Sequence, residues 1–231
     1  MMNNIIRSLL LTSLIIFSGK LISQDAFHEM DRVYGLDPLL FNGKKYSYFL
    51  PSGTGGNQFL ASSAFVEGDI VIRGKEVQDV FLNYDIYNQK LLLQYSDETG
   101  AFQIIEISEA WLERFSLGEM NFIYLAGNEQ HRIYQVLGDG PYHILYSWRK
   151  SLKLSNSMGD GNYTFSPAVK TRYVFVDGEL HPFRSKGSLI KVFDPAHKPA
   201  IKNYFHEKGI NPKKASDQAM TELINYIGNL E

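Results

Sequence analysis

Between about residue 45 and residue 185, runs rich in Tyr, Phe, Val, Ile and Leu are cut at short intervals by turn residues. These are Gly53 to Asn57, Glu67-Gly68-Asp69, Asp97 to Gly100, Gly138-Asp139-Gly140-Pro141, Gly159-Asp160-Gly161-Asn162 and Asp177-Gly178. Glycine, proline, asparagine and aspartate supply the backbone angles of tight turns, while β-branched and aromatic side chains suit a pleated, half-buried surface. The spacing predicts an antiparallel meander that begins at Lys45 to Leu50. Asp177-Gly178, between YVFV and ELHPF, is the clearest hairpin, because a two-residue type I′ turn needs positive φ at both positions. Ser108 to Phe115 (SEAWLERF) combines a Ser cap with helix-compatible spacing, and it is predicted as a helical turn or two interrupting the strands.

Several strands are apolar on both faces. In Pro141 to Trp148, Tyr142, Ile144, Tyr146 and Trp148 share one face, and Leu145 lies on the other between His143 and Ser147. Leu91 to Tyr95 carries leucine on both. A strand with one solvated face alternates cleanly, so both sides of these must be covered by a second sheet, by helices or by a ligand cavity.

The period changes at the ends. Residues 25 to 36 place Phe27, Met30, Val33 and Tyr34 along one face of a short helix stopped at Gly35, before breaks at Asp37-Pro38 and Asn42-Gly43. After a short apolar run from Ser188 to Phe193, Asp194-Pro195 and Lys198-Pro199 open a helix with Ile201, Tyr204 and Phe205 on one side, closed by Gly209. Asn211-Pro212 is predicted to start a second helix, with Ala215, Ala219, Leu223, Ile224 and Ile227 together. The fold class is thus mainly β (α+β): an antiparallel meander forming a curved sheet, sandwich or partly open barrel, with a short N-terminal helix and a C-terminal helical hairpin over 197–229. That hairpin is expected to dock on the sheet, making 24–231 a single β-rich domain.

Residues 1–23 read as a secretory leader, with Arg7 ahead of an apolar run from Ser8 to Gly19 that is too short to span a bilayer. Cleavage is expected after Ser23, with an uncleaved anchor as the alternative. Loss of Arg7 and Lys20 leaves 21 basic against 25 acidic side chains, a net charge of −4. Such a balance gives no broad attraction to nucleic acid. Cysteine is absent, which excludes thiolate zinc sites, thiol nucleophiles and disulfides, and a lipid anchor on a mature N-terminal cysteine as well. A core from about 200 residues, burying roughly 70% of the surface of the unfolded chain, makes such staples unnecessary. The expected location is the periplasm or the exterior, with no transmembrane segment in the mature chain. An outer-membrane barrel is disfavoured, since its strands need about 9 to 11 residues with an unbroken lipid-facing row, and these runs are shorter.

The common catalytic signatures are missing. His28, His131, His143, His181, His197 and His206 form neither HExxH nor an HxH pair, so no metal or cofactor is expected. The glycines of Pro51 to Gly56 lack the GK[ST] ending of a phosphate loop and read as a hairpin loop. Ser188 to Lys191 (SLIK) matches SxxK without its companion motifs and reads as the start of a helix. Asn162-Tyr163-Thr164 matches a glycosylation sequon and reads as a hairpin turn. Glu106, Glu109 and Glu113 are spaced three and four apart; paired carboxylates can do acid and base work, although a solvated face is their commoner use.

Aromatic residues, 13% of the chain, are the most suggestive feature. Tyr142, Tyr146 and Trp148 on one strand face, with Tyr134 on the preceding strand, are the candidate ligand-binding residues, against the alternative of ordinary sheet core. Tyr34-Gly35 leading to Asn42-Gly43, the hairpin Tyr84 to Tyr95, Phe115 followed by Asn121-Phe122, and the run Ser188 to Phe193 give the chain a further likeness. On these it resembles a group of exported Gram-negative envelope proteins that combine a β-meander with a C-terminal helical pair. The resemblance implies fold positions and carries no catalytic residue. The expected function is non-catalytic binding of an envelope protein or a small ligand. The alternative is an exported hydrolase with a site assembled from separated residues such as His143, His181 and Glu113.

Overall fold

Two-residue turns set the register of the sheet. In the computed structural model, which describes residues 43–97, 99–126, 132–154 and 162–230, Val176 pairs with Glu179 around Asp177-Gly178, whose φ angles are 51° and 80°. Ile72 pairs with Lys75 around Arg73-Gly74, at 51° and 72°. Both are the positive-φ turns that match the twist of the flanking strands. The leader at 1–23, the helix at 25–36, His28, His131 and most of the turn at 159–162 lie outside the described residues.

The strands are β1 (Lys44–Lys45), β2 (Val66–Ile72), β3 (Lys75–Asp85), β4 (Lys90–Ser96), β5 (Phe102–Glu106), β6 (Leu112–Leu117), β7 (Met120–Tyr124), β8 (Ile133–Leu137), β9 (His143–Arg149), β10 (Leu152–Leu154), β11 (Tyr163–Phe165), β12 (Val169–Val176) and β13 (Glu179–Phe183). Eleven of them form one antiparallel sheet in the order β1-β5-β4-β3-β2-β6-β7-β8-β9-β12-β13, and β10-β11 is a separate ribbon. The sheet is open, with β1 and β13 at its edges, and is not closed as a barrel. Three helices follow: α1 (Lys186–Ile190), α2 (Lys198–Glu207) and α3 (Asp217–Gly228).

Two connections depart from a meander: the chain passes from edge strand β1 to β2, with β5, β4 and β3 between them, and the second is tighter. In the second, the chain leaves β5 and re-enters beside β2 as β6, past three intervening strands. A flat sheet would set those strands about 19 Å apart. The link from Glu106 to Leu112 includes a turn in which the Trp111 amide donates to the Ser108 carbonyl, so it reaches about 17 Å at most. The sheet therefore curls.

The predicted helix at Ser108 to Phe115 is instead this turn followed by strand β6. Val71 pairs with Arg114 but Ile72 with Leu112, so Glu113 is bulged out of the ladder. The bulge puts Leu112 and Phe115, three apart, on the same buried side. A helical spacing was produced by a strand defect. A register shift opposite Gly68 and Ile70, with Asp79 at φ 57°, likewise lets Val77 and Val80 face inward together.

One sheet face can be followed strand to strand through Ile70, Phe115, Phe122, Gln135, Tyr146 and Arg172. At the β2–β7 end this face encloses a core of Ile70, Leu82, Tyr84, Leu93, Phe115 and Phe122. At the β8–β13 end it is covered by the helices, with Ile144, Tyr146, Val174 and Phe183 against Ile201, Phe205, Leu223, Ile224 and Ile227. Trp148 borders both clusters. The other face is covered in part: the Tyr46 hydroxyl donates to Asp85 at 2.7 Å, and the Asn83 side chain donates to the Ser62 and Ala64 carbonyls.

Of the first expected strand, Lys45 to Leu50, only Lys45 is paired, together with Lys44 in β1. The glycines of the expected hairpin loop dock on the β10-β11 ribbon, where Gly55 bridges Thr164 in parallel. Asn211-Pro212 does not start a helix: Asn211 Oδ1 accepts the Lys213 amide in a turn, and α3 begins after Ser216, whose hydroxyl caps the Ala219 amide. Asparagine before proline favours that local bond over helical angles. Ser188 sits in a capping box with Ser185 at the start of α1.

Candidate functional site

The ladders of β8, β9 and β12 assemble a polar corner under the first turn of α3. Gln135 pairs with Tyr146 and Tyr146 with Arg172, while Trp148 pairs with Lys170 in the next row. Residues in register share a face, so all five point at the helical layer, where Asp217 opens α3. Gln135 holds the corner together: its Oε1 accepts the Trp148 indole N–H at 2.9 Å, and its Nε2 donates to Asp217 Oδ2 at 2.7 Å. The other oxygen, Asp217 Oδ1, takes the Lys170 ammonium at 3.0 Å. That ammonium lies 3.9 Å from the centre of the Tyr146 ring and 5.2 Å from that of Trp148. The two rings meet edge to face at 88° and 6.5 Å.

Tyr146 is fully buried, and its hydroxyl has no partner among the described residues. Burial first, and Asp217 second, push its phenol well above the ordinary tyrosine value, with Arg172 opposing. It is a neutral phenol throughout the physiological range. Arg172 donates from Nη2 to the Lys213 carbonyl at 3.2 Å.

The four candidate aromatics are therefore divided. Tyr146 and Trp148 share the corner. Tyr142 is half-buried, 5.3 Å edge-on from Phe193. Tyr134 neighbours Gln135 and so points to the opposite face, where it is fully buried edge-on to Tyr173 at 5.8 Å. A place on the preceding strand does not fix which face a side chain takes, because that depends on the register between the two strands. Gln135, Lys170 and Asp217 were not recognised in the sequence, and no local signal links positions up to 82 residues apart.

The hydrolase candidates are not brought together. His143 contacts the Gly138 carbonyl at 2.9 Å through Nδ1. His181 lies on the other face, 3.7 Å from Glu179. Glu113 accepts the Gly74 amide at 2.6 Å. Glu106 and Glu109 are each held by Lys90, at 2.9 and 3.0 Å, and Glu109 also by Arg132 at 3.1 Å. Burial works against the Lys90 charge, but these two carboxylates outweigh it and raise its pKa. Asp85 is fully buried and accepts from Tyr46, the Tyr87 and Asn88 amides and the Asn88 side chain. These acids brace turns and strand ends. Among the described residues no three His, Asp or Glu side chains converge as metal ligands.

A second feature lies on the face away from the helices. Val71, Ile123 and Val136 floor a shallow depression of about 230 Å³, with Asp69, Glu76 and Arg114 around it. Arg114 and Glu76 stand 4.0 Å apart and are at least half exposed. No helix among the described residues is long and apolar enough to cross a membrane. No family model, curated protein or solved structure matches the chain.

Proposed function

We propose that the chain is an exported envelope protein that binds another protein without catalysis, through the sheet face away from the helices. One observation carries the reading: the open depression over Val71, Ile123 and Val136, bordered by two carboxylates, Asp69 and Glu76, and one guanidinium, Arg114. A shallow apolar floor with a charged rim suits a protein surface, since small-molecule sites enclose most of their ligand. The excess of carboxylate selects a partner segment that carries a basic side chain beside apolar ones. Residues 1–23, read as a cleavable leader, support export.

Purified protein lacking 1–23 is titrated with short apolar peptides bearing either Lys and Arg or Asp and Glu. Binding of the basic set, weakened by salt and by Asp69→Asn with Glu76→Gln, and lost in Ile123→Asp, is the expected result. A protein that binds neither set, or binds them equally with or without Ile123→Asp, overturns the reading. For export, the expected outcome is a mature N-terminus at Gln24 in the extracytoplasmic fraction, and a full-length cytoplasmic chain refutes it.

A further inference from the structure

The polar corner beneath α3 has the make-up of a cation receptor, and the chain fills it with a cation of its own. Two aromatic faces at right angles, Tyr146 and Trp148, meet one carboxylate oxygen, Asp217 Oδ1, around a single ammonium. Aromatic faces attract ammonium groups through the negative potential above the ring, and the attraction grows when water is excluded. The walls are held without help from the ammonium. Tyr146 is fully buried on β9, and Gln135 fixes both the Trp148 indole and the far oxygen of Asp217. The unpartnered Tyr146 hydroxyl marks the same corner as one whose polar groups are not all satisfied within the described residues.

The occupant is held less rigidly than the box. Lys170 reaches in from β12 on a flexible four-carbon stem, and among the described residues its hydrogen bond is the one to Asp217. Its side chain is 18% exposed and that of Asp217 39%, so the box opens to solvent on the carboxylate side. A quaternary ammonium, which has no N–H, would give up that one hydrogen bond while its methyl groups would rest on both rings.

We propose that Tyr146, Trp148 and Asp217 form an ammonium-binding cage, that Lys170 is its built-in plug, and that the vacated cage takes an external quaternary ammonium group. This site lies on the helical side of the sheet, and it stands or falls independently of the depression on the other face.

The probe is tetramethylammonium chloride, titrated against a sodium chloride control of equal ionic strength and followed by calorimetry and tryptophan fluorescence. Lys170→Ala should bind it saturably, and wild type about tenfold more weakly, because the tethered lysine competes at high effective concentration. Lys170→Ala with Asp217→Asn keeps an acceptor for Gln135 yet should lose most of that binding. A folded Lys170→Ala protein that does not respond to the probe overturns the proposal. If that variant fails to fold, wild type decides: the ε-methylene protons of Lys170, shifted upfield by the Tyr146 ring, should return toward free-lysine values as the probe displaces them. No movement beyond the sodium control makes Lys170 a fixed brace and refutes the cage.

Discussion

Replacing Gly138 with alanine tests how α3 seats on the sheet. Gly138 lies just after β8 at φ +95°, and a Cβ added there would stand 2.4 Å from Cγ2 of Ile224 and 3.1 Å from Oδ1 of Asn225. Asn225 Oδ1 also accepts the neighbouring Asp139 amide at 3.0 Å, so the contact is backbone against helix with little freedom to relax. Positive φ costs an L-residue about 1–2 kcal/mol. Forcing a methyl into a packed contact costs about 1–3 kcal/mol more. Alanine narrows the unfolded ensemble and returns about 0.4–1 kcal/mol, which leaves a net loss of about 1–5 kcal/mol. Against a typical total of about 5–15 kcal/mol, urea melts resolve this readily as a lower midpoint at unchanged slope. The cause is separable, because Ile224→Leu removes Cγ2 at nearly constant volume. Added to Gly138→Ala, it should recover the steric part and leave the backbone part. If Gly138→Ala falls within about 0.5 kcal/mol of wild type, or Ile224→Leu recovers none of its loss, the packing of α3 on this turn is misread.

Deleting 197–231 should abolish soluble expression, because Ile201, Phe205, Leu223, Ile224 and Ile227 are all buried in one cluster with Tyr146 and Val174, worth on the order of 10 kcal/mol before entropy; a soluble monomeric truncation melting at the wild-type temperature refutes it. Trp148→Phe keeps an aromatic ring but leaves Gln135 Oε1, on a residue only 2% exposed, without its donor, for a loss of about 1–3 kcal/mol by urea melt; an unchanged midpoint counts against Gln135 as the clamp. Asp97 accepts from the Thr99 hydroxyl, Gln103, and the Ala101 and Thr99 amides, which hold its carboxyl down from 3.8 to about 2. The sign follows: the carboxylate supports the β4–β5 turn above its ordinary value and releases it as pH falls through about 2. Carboxyl carbon NMR should show that titration, and a midpoint near 4 would contradict the turn geometry.

What can be read locally was legible in the sequence. Asp177-Gly178 adopts its hairpin because two adjacent residues carry the whole requirement for positive φ. Of the tail residues named from their spacing, Ile201, Phe205, Leu223, Ile224 and Ile227 are buried, because a helix fixes its own period wherever it lies, while Tyr204, Ala215 and Ala219 are only half-buried. Leucines on both faces of β4 correctly signalled that each would be covered. Strand neighbours and faces were settled elsewhere. The curl that sends β6 to β2 arises from a link too short for a flat sheet, and the Glu113 bulge converts a helical spacing into a strand. Register is a property of two strands together, and a slip of one residue reverses every side chain; the pairing of Gln135 with Tyr146 is what turns Tyr134 to the opposite face. The corner of Gln135, Trp148, Lys170 and Asp217 exists only once three strands and a helix N-terminus have been laid side by side, since a hydrogen bond spanning 82 residues leaves no trace in the chain on either side of it.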